Sequence, residues 1–130
     1  MAGYSLFNYL MQVKDRHNGN ILISDEGHII HIDFGFILQS SPGGVNFETA
    51  PFKLTQEYVD LMKGIDSDFF GYFRTLLIRG LLELKKYVID LQYLLIILSR
   101  ESDLPCFYNF DVNSWKSRFM EIATDKEVIV

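Results

Sequence analysis

Residues 15–35 read Asp15-Arg16-His17-Asn18-Gly19-Asn20-Ile21-Leu22-Ile23-Ser24-Asp25-Glu26-Gly27-His28-Ile29-Ile30-His31-Ile32-Asp33-Phe34-Gly35. Two short apolar runs, Ile21-Leu22-Ile23 and His28 to Ile32, flank the polar Ser24-Asp25-Glu26-Gly27. Runs of this kind favour strands, and Gly27 can take the positive φ that a tight hairpin needs. A hairpin sends the chain out and back. It therefore returns the polar residues before it, Asp15 to Asn20, to the neighbourhood of Asp33 just after it. Gly35 then allows a sharp turn past Asp33.

On the N-terminal side, Leu6, Tyr9, Leu10 and Val13 recur at helical spacing and predict an amphipathic helix without a capping residue at its start. On the other side, Phe34 to Lys53 is loop-like, punctuated by Gly35, Ser40-Ser41-Pro42-Gly43-Gly44 and Pro51. A loop of this length without secondary structure is more often functional than decorative. Thr55 is a plausible N-cap, and helices are expected at about 56–63, 68–84, 86–99 and 112–123. The expected fold class is α+β, one small β-hairpin plus a predominantly helical body.

With 130 residues, the chain is at most one domain, and 48% hydrophobic residues supply a core. The net charge of −5 gives no global basic field, so no nucleic-acid partner is expected. The single cysteine, Cys106, cannot form an internal disulfide and is expected to be a small buried apolar side chain. The most apolar region, Phe69 to Leu98, holds Arg74, Arg79, Glu83, Lys85, Lys86 and Asp90 and is not expected to span a bilayer.

Asn20 lies five residues after Asp15, and Asp33-Phe34-Gly35 follows the hairpin. The same Asp, an Asn five residues on and a later D-F-G occur in the protein-kinase signature. Phosphoryl transfer needs a group near the attacking hydroxyl and oxygen ligands for an ion that bridges phosphates. Mg²⁺ prefers hard oxygens and keeps several waters, so one Asn carbonyl and one Asp carboxylate suffice from the protein. Each element alone is weak. Their combination across a hairpin is specific.

In Asp15-Arg16-His17-Asn18-Gly19-Asn20 the histidine follows the Asp–Arg pair, the reverse of the protein-kinase order. This stretch, with Ile32-Asp33-Phe34-Gly35, closely resembles the phosphoinositide 3-/4-kinase family. The wider run from Ala2 through Leu54, with Phe47-Glu48-Thr49, is similar to the type III phosphatidylinositol 4-kinases, the beta branch most of all. Leu104-Pro105-Cys106-Phe107 matches a weaker, later signature.

The resemblance implies that residues 1–130 are the C-terminal lobe of a protein-kinase-like catalytic domain. Its catalytic loop would be 15–20, its activation loop 33–53 and its helical part 55–130. No glycine-rich loop and no strand carrying a lysine precedes the catalytic stretch, so the ATP-covering N-terminal lobe is expected to be missing, and the chain alone inactive. By the same resemblance, Asp15 and His17 are catalytic, and Asn20 and Asp33 hold Mg²⁺ (or Mn²⁺) on ATP. Phe36, Ser40, Ser41, Gly43, Gly44, Phe47 and Lys53 face the substrate. Either Asp15 or His17 could be the base. The implied activity is phosphorylation of phosphatidylinositol to its 4-phosphate, by a cytoplasmic enzyme peripheral to internal, Golgi-type membranes. The rival readings are a related atypical protein kinase and a catalytically silent kinase-fold binding module.

Blander roles are expected elsewhere. Arg16 anchors the loop through ion pairs or backbone carbonyls, and Lys14 is solvated. His28 and His31 project to opposite faces of their strand, too far apart to share a metal. Phe69, Phe70, Phe73, Leu77 and Leu81 pack in the core.

Overall fold

The computed structural model describes residues 1–41, 50 and 52–120. Helix α1 spans Ala2–Met11 and stops where Gln12 turns left-handed, at φ 50°. There the amide of Val13 folds back to the carbonyl of Asn8 at 3.0 Å. Such a stop satisfies carbonyls that the end of a helix leaves open. Strands β1 (Ile21–Ile23) and β2 (Ile29–His31) pair antiparallel, with Ile21 opposite His31. Gly27 closes their turn at φ 81°. The amide of Ile32 also donates to the carbonyl of Asn20 at 3.0 Å, which carries the pairing one step toward the Asp15–Asn20 stretch.

Helix α2 (Gln56–Leu61) begins at Thr55, whose hydroxyl accepts the amide of Tyr58. Helix α3 (Asp68–Lys85) begins in the same way, with the Ser67 hydroxyl accepting the amide of Phe70 at 3.1 Å. Side-chain oxygens at these positions satisfy the first open amides of a helix. Lys63 and Gly64, both at positive φ, reverse the chain between the two. Helices α4 (Val88–Ser99) and α5 (Val112–Met120) follow, with a 3₁₀ turn at Pro105–Phe107 between them. The fold is α+β, a two-stranded hairpin on a mostly helical body, in keeping with the C-terminal lobe of a kinase-like fold.

Two apolar clusters hold these parts together. Leu10, Leu38, Leu95, Cys106, Trp115 and Phe119 form one, where α1, α4 and α5 meet. Trp115 donates its indole N–H to the carbonyl of Leu10 at 2.8 Å, and Tyr9 donates its hydroxyl to the carbonyl of Arg118 at 2.7 Å, so α5 is fixed to the end of α1. Tyr58, Met62 and Phe73 form the second, against which Ile21 and Ile29 of the hairpin rest. Helix α1 lies against α3, where Gly80 leaves room for Leu6.

One expectation is corrected. Phe69 is 58% exposed under the ammonium of Lys63 rather than packed in the core, because its neighbour Phe70 takes the face turned to the second cluster and leaves Phe69 on the adjacent one. Helix α4 starts at Val88, since the amides of Lys86 and Tyr87 fold back to Glu83 and Leu84 as a turn. Its apolar residues run all the way round, so Tyr93, Leu94, Ile97 and Leu98 are exposed while Leu95 is buried. Among the described residues no helix is long and apolar enough to cross a membrane.

Candidate active site

The two ends of the hairpin are tied together by one side chain. Arg16 is 3% exposed and donates only to backbone carbonyls among its described hydrogen bonds. Nε reaches Lys14 at 3.0 Å, Nη1 reaches Ile32 at 2.7 Å and Asn20 at 3.4 Å, and Nη2 reaches Asp33. A buried guanidinium is tolerable only when its donors are met, and these carbonyls meet them from both sides of the hairpin. The guanidinium carbon also stands 5.4 Å from the ring centre of Phe34. The loop-anchoring role expected of Arg16 is what the contacts show.

This tie places the candidate polar groups at one end of the hairpin. Asn20 is buried, and its Nδ2 donates to the carbonyl of Asp15 at 2.9 Å. That bond fixes which way the amide points and leaves Oδ1 as its remaining acceptor. Asp33 is exposed at φ 54°, with Oδ1 accepting the amide of Gly35 at 3.2 Å. Asp15 is also left-handed, at φ 60°. A non-glycine residue at positive φ is uncommon, and such strain concentrates at functional sites. Gln12, Asp15, Asp33 and Leu38 all have it, and all lie where the chain enters or leaves this region.

His17 folds back over its own turn. Its Nδ1 accepts the amide of Gly19 at 3.1 Å, capping the 3₁₀ turn Asn18–Asn20. In a neutral imidazole an accepting Nδ1 puts the proton on Nε2. Nε2 lies 3.8 Å from Oδ1 of Asp15. The Nε2 hydrogen faces Asp15 at a distance too long for a hydrogen bond, and the 3.3 Å approach of Nε2 to Nδ2 of Asn20 is a packing contact.

Lys14 is not solvated as expected. Its ammonium donates to the carbonyl of Ser40 at 2.9 Å and to that of Leu38. Phe36 accepts the amide of Lys14 at 2.9 Å, and Leu38 donates its own amide to Met11 at 2.7 Å. Leu38 and Ile37, within the expected activation loop 33–53, pack into the first apolar cluster. A leucine at φ 52° costs about 1 kcal/mol and persists because its side chain, amide and carbonyl are all engaged. Ser41 is partly buried beside this junction in sequence. Lys53 lines a small cavity with Met1, Tyr4, Asn8, Ile29 and Tyr58, among the residues at the start of α1 rather than among the contacts of Asp15 and Asn20. Gly43, Gly44 and Phe47 lie outside the described residues.

The two histidines of the hairpin, His28 just before β2 and His31 within it, differ in exposure. His28 is exposed, while His31 is buried and stacked on Tyr4 at 4.3 Å. Burial first, then the charges of Arg16 and the chain's amino terminus, hold His31 below the ordinary histidine range. Among the described residues no three His, Cys, Asp or Glu side chains gather as a metal-holding group. A pair of hard oxygens, Oδ1 of Asn20 and the carboxylate of Asp33, still fits an ion that takes its other ligands from phosphate and water.

A family model for phosphatidylinositol 3- and 4-kinase matches residues 1–103. The chain belongs to the phosphatidylinositol 3- and 4-kinase family. It is similar to phosphatidylinositol 4-kinase beta of Danio rerio, at 49% identity over 130 residues, which is 99% of this chain and 16% of the relative. The Homo sapiens protein of the same name is 49% identical over 128 residues, 98% of this chain and 16% of its own length. The chain therefore spans 16% of the length of the curated relatives it matches. The family match contains Asp15, His17, Asn20 and Asp33 and every described contact among them.

Two residues escaped the sequence reading. Gly19 gives no motif signal of its own beyond filling the space under a ring. Lys14 has its acceptors 24 and 26 residues away, and nothing local announces them.

Proposed function

We propose that this chain is the metal- and phosphate-handling part of an ATP-dependent phosphatidylinositol 4-kinase. The observation that carries the reading is Arg16, whose bonds to Asn20, Ile32 and Asp33 hold both metal-ligand candidates at one end of the hairpin. In the reaction a ring hydroxyl of phosphatidylinositol attacks the γ-phosphorus of ATP. The bond to the β–γ bridging oxygen breaks, ADP leaves, and the hydroxyl proton passes to Asp15. Asp15 suits that role better than His17, because the lone pair on Nδ1 is occupied by Gly19 and Nε2 carries the ring proton. His17 then lines the site 3.8 Å from the Asp15 carboxylate, with its Nε2 hydrogen facing it.

Asn20 and Asp33 would hold Mg²⁺, with Mn²⁺ as a substitute. Bound there, the ion would offset the charge of the ATP phosphates. Cover for those phosphates would come from an N-terminal lobe outside these 130 residues. A peripheral, cytoplasmic enzyme on internal membranes of the Golgi type is the proposed location, on the family resemblance alone.

The test is a turnover assay of the full-length protein with Mg·ATP and phosphatidylinositol vesicles. The 4-phosphate is the expected product. Phosphate transfer to protein substrates only, or to none, would reject the reading.

A further inference from the structure

Two cations, two residues apart, divide the junction between them. Arg16 donates to Asn20, Ile32 and Asp33, the stretch that carries the metal-ligand candidates, and its Nε holds the backbone carbonyl of Lys14 at 3.0 Å. Lys14 donates to Leu38 and Ser40, where the chain leaves that stretch for the rest of the activation segment. Backbone bonds reinforce the second set, from Lys14 to Phe36 at 2.9 Å and from Leu38 to Met11 at 2.7 Å. Residues 36–38 thus run alongside 11–14, and the amide of Ser40 turns back to Ile37 at 3.1 Å. Hydrogen bonds from a charged donor are roughly twice as strong as neutral ones, so the ammonium is the strongest single constraint on where this segment departs.

We propose that Lys14 is a positioning residue that fixes the lipid side of the site and leaves the nucleotide side to Arg16. The inference rests on the kinase reading above. The carbonyls it holds belong to Leu38, strained at φ 52° and wholly buried, and to Ser40, on the segment assigned to face the lipid. Without the ammonium, both carbonyls lose their charged partner. The segment then departs at a new angle, while Asn20 and Asp33 keep their tie to Arg16.

The test compares Lys14→Met, Lys14→Gln and Lys14→Arg with wild type in the full-length protein. Readouts are KM for phosphatidylinositol, KM for ATP and the dissociation constant of an Mg²⁺–ATP analogue. Lys14→Met is expected to raise the lipid KM about tenfold while both nucleotide constants stay within about twofold. Arginine, which can reach two carbonyls with its fork, should recover most of the loss, and glutamine should fall between. If Lys14→Met proves insoluble, the glutamine variant carries the same comparison. Lipid and nucleotide constants that rise together, or a lipid KM that does not move, would overturn the proposal. A wild-type enzyme inert toward phosphatidylinositol would instead reject the kinase reading itself, so the two failures are distinguishable.

Discussion

The amide of Gly19 donates to Nδ1 of His17 at 3.1 Å, and a β-carbon at Gly19 would lie 2.9 Å from Cε1 of the same ring. The glycine therefore both holds the imidazole and makes room for it. Gly19→Ala should push the ring aside, free Nδ1 and loosen the 3₁₀ turn that presents Asn20. The expected result is a fall in kcat of about tenfold or more with little change in melting temperature. Unchanged kcat would mean that the ring position is incidental.

The same bond ranks the two candidate bases. A positioned base contributes about 10² to 10⁴ in rate, so Asp15→Asn should lower kcat within that range. His17→Gln should cost only about tenfold, since His17 neither takes the proton nor hydrogen-bonds Asp15 in this arrangement. Asparagine tolerates the left-handed backbone at Asp15, so the comparison is not clouded by strain. A larger loss at His17 than at Asp15 would reverse the assignment.

Asp33→Asn isolates charge in a similar way. Asparagine accepts φ 54°, and its Oδ1 can still take the amide of Gly35. What would disappear is the negative charge of the proposed metal ligand. Turnover is expected to fall by about a hundredfold or more, with unchanged circular dichroism. Activity within a few fold of wild type would remove Asp33 from the metal site.

These relationships were unevenly legible in the sequence. The hairpin was readable because β-branched runs flank a glycine turn, and all five helices because their apolar spacing or caps are local. Arg16 was readable because it is embedded in the motif it serves. Lys14 was not, since an isolated lysine is solvated by default and its acceptors follow a whole hairpin later. The left-handed Gln12, Asp15, Asp33 and Leu38 were equally hidden. Non-glycine residues at positive φ are imposed by the surrounding packing and hydrogen bonds, which no local pattern encodes. Phe69 was misplaced because two adjacent phenylalanines, Phe69 and Phe70, fit the apolar pattern and only Phe70 faces the cluster.

Cys106 offers a check on the helical core. It is buried beside Leu95 and Trp115 in the first cluster, and burial pushes its thiol above the ordinary range. Only the thiolate attacks alkylating agents, so the native protein should resist iodoacetamide near pH 8 and react readily once unfolded in urea. Mass spectrometry reads the outcome. Rapid, complete labelling in native buffer would show that the α4–α5 cluster opens easily.

The last prediction concerns which lipid the site admits. A head group that already carries extra phosphates needs lysines or arginines to pair with them. Between Phe34 and Pro51 the sequence contains neither, and its only charge is Glu48. Lys14 does reach this segment from outside, but its ammonium is held against the carbonyls of Leu38 and Ser40. Ile37 and Leu38 pack inward, which removes two apolar residues from any lipid-facing surface and leaves the charge argument untouched. Plain phosphatidylinositol, with only its diester phosphate, is therefore the expected substrate. Installing cations where the segment leaves the clasp, as Ser40→Lys with Ser41→Lys, should improve kcat/KM for the bisphosphate relative to phosphatidylinositol by about tenfold. Both side chains can change without removing the backbone carbonyl that Lys14 holds. The assay presents phosphatidylinositol and its mono- and bisphosphates in otherwise identical vesicles. A wild-type preference for the bisphosphate would sink the idea, and so would a double variant whose ranking of the three lipids is unchanged.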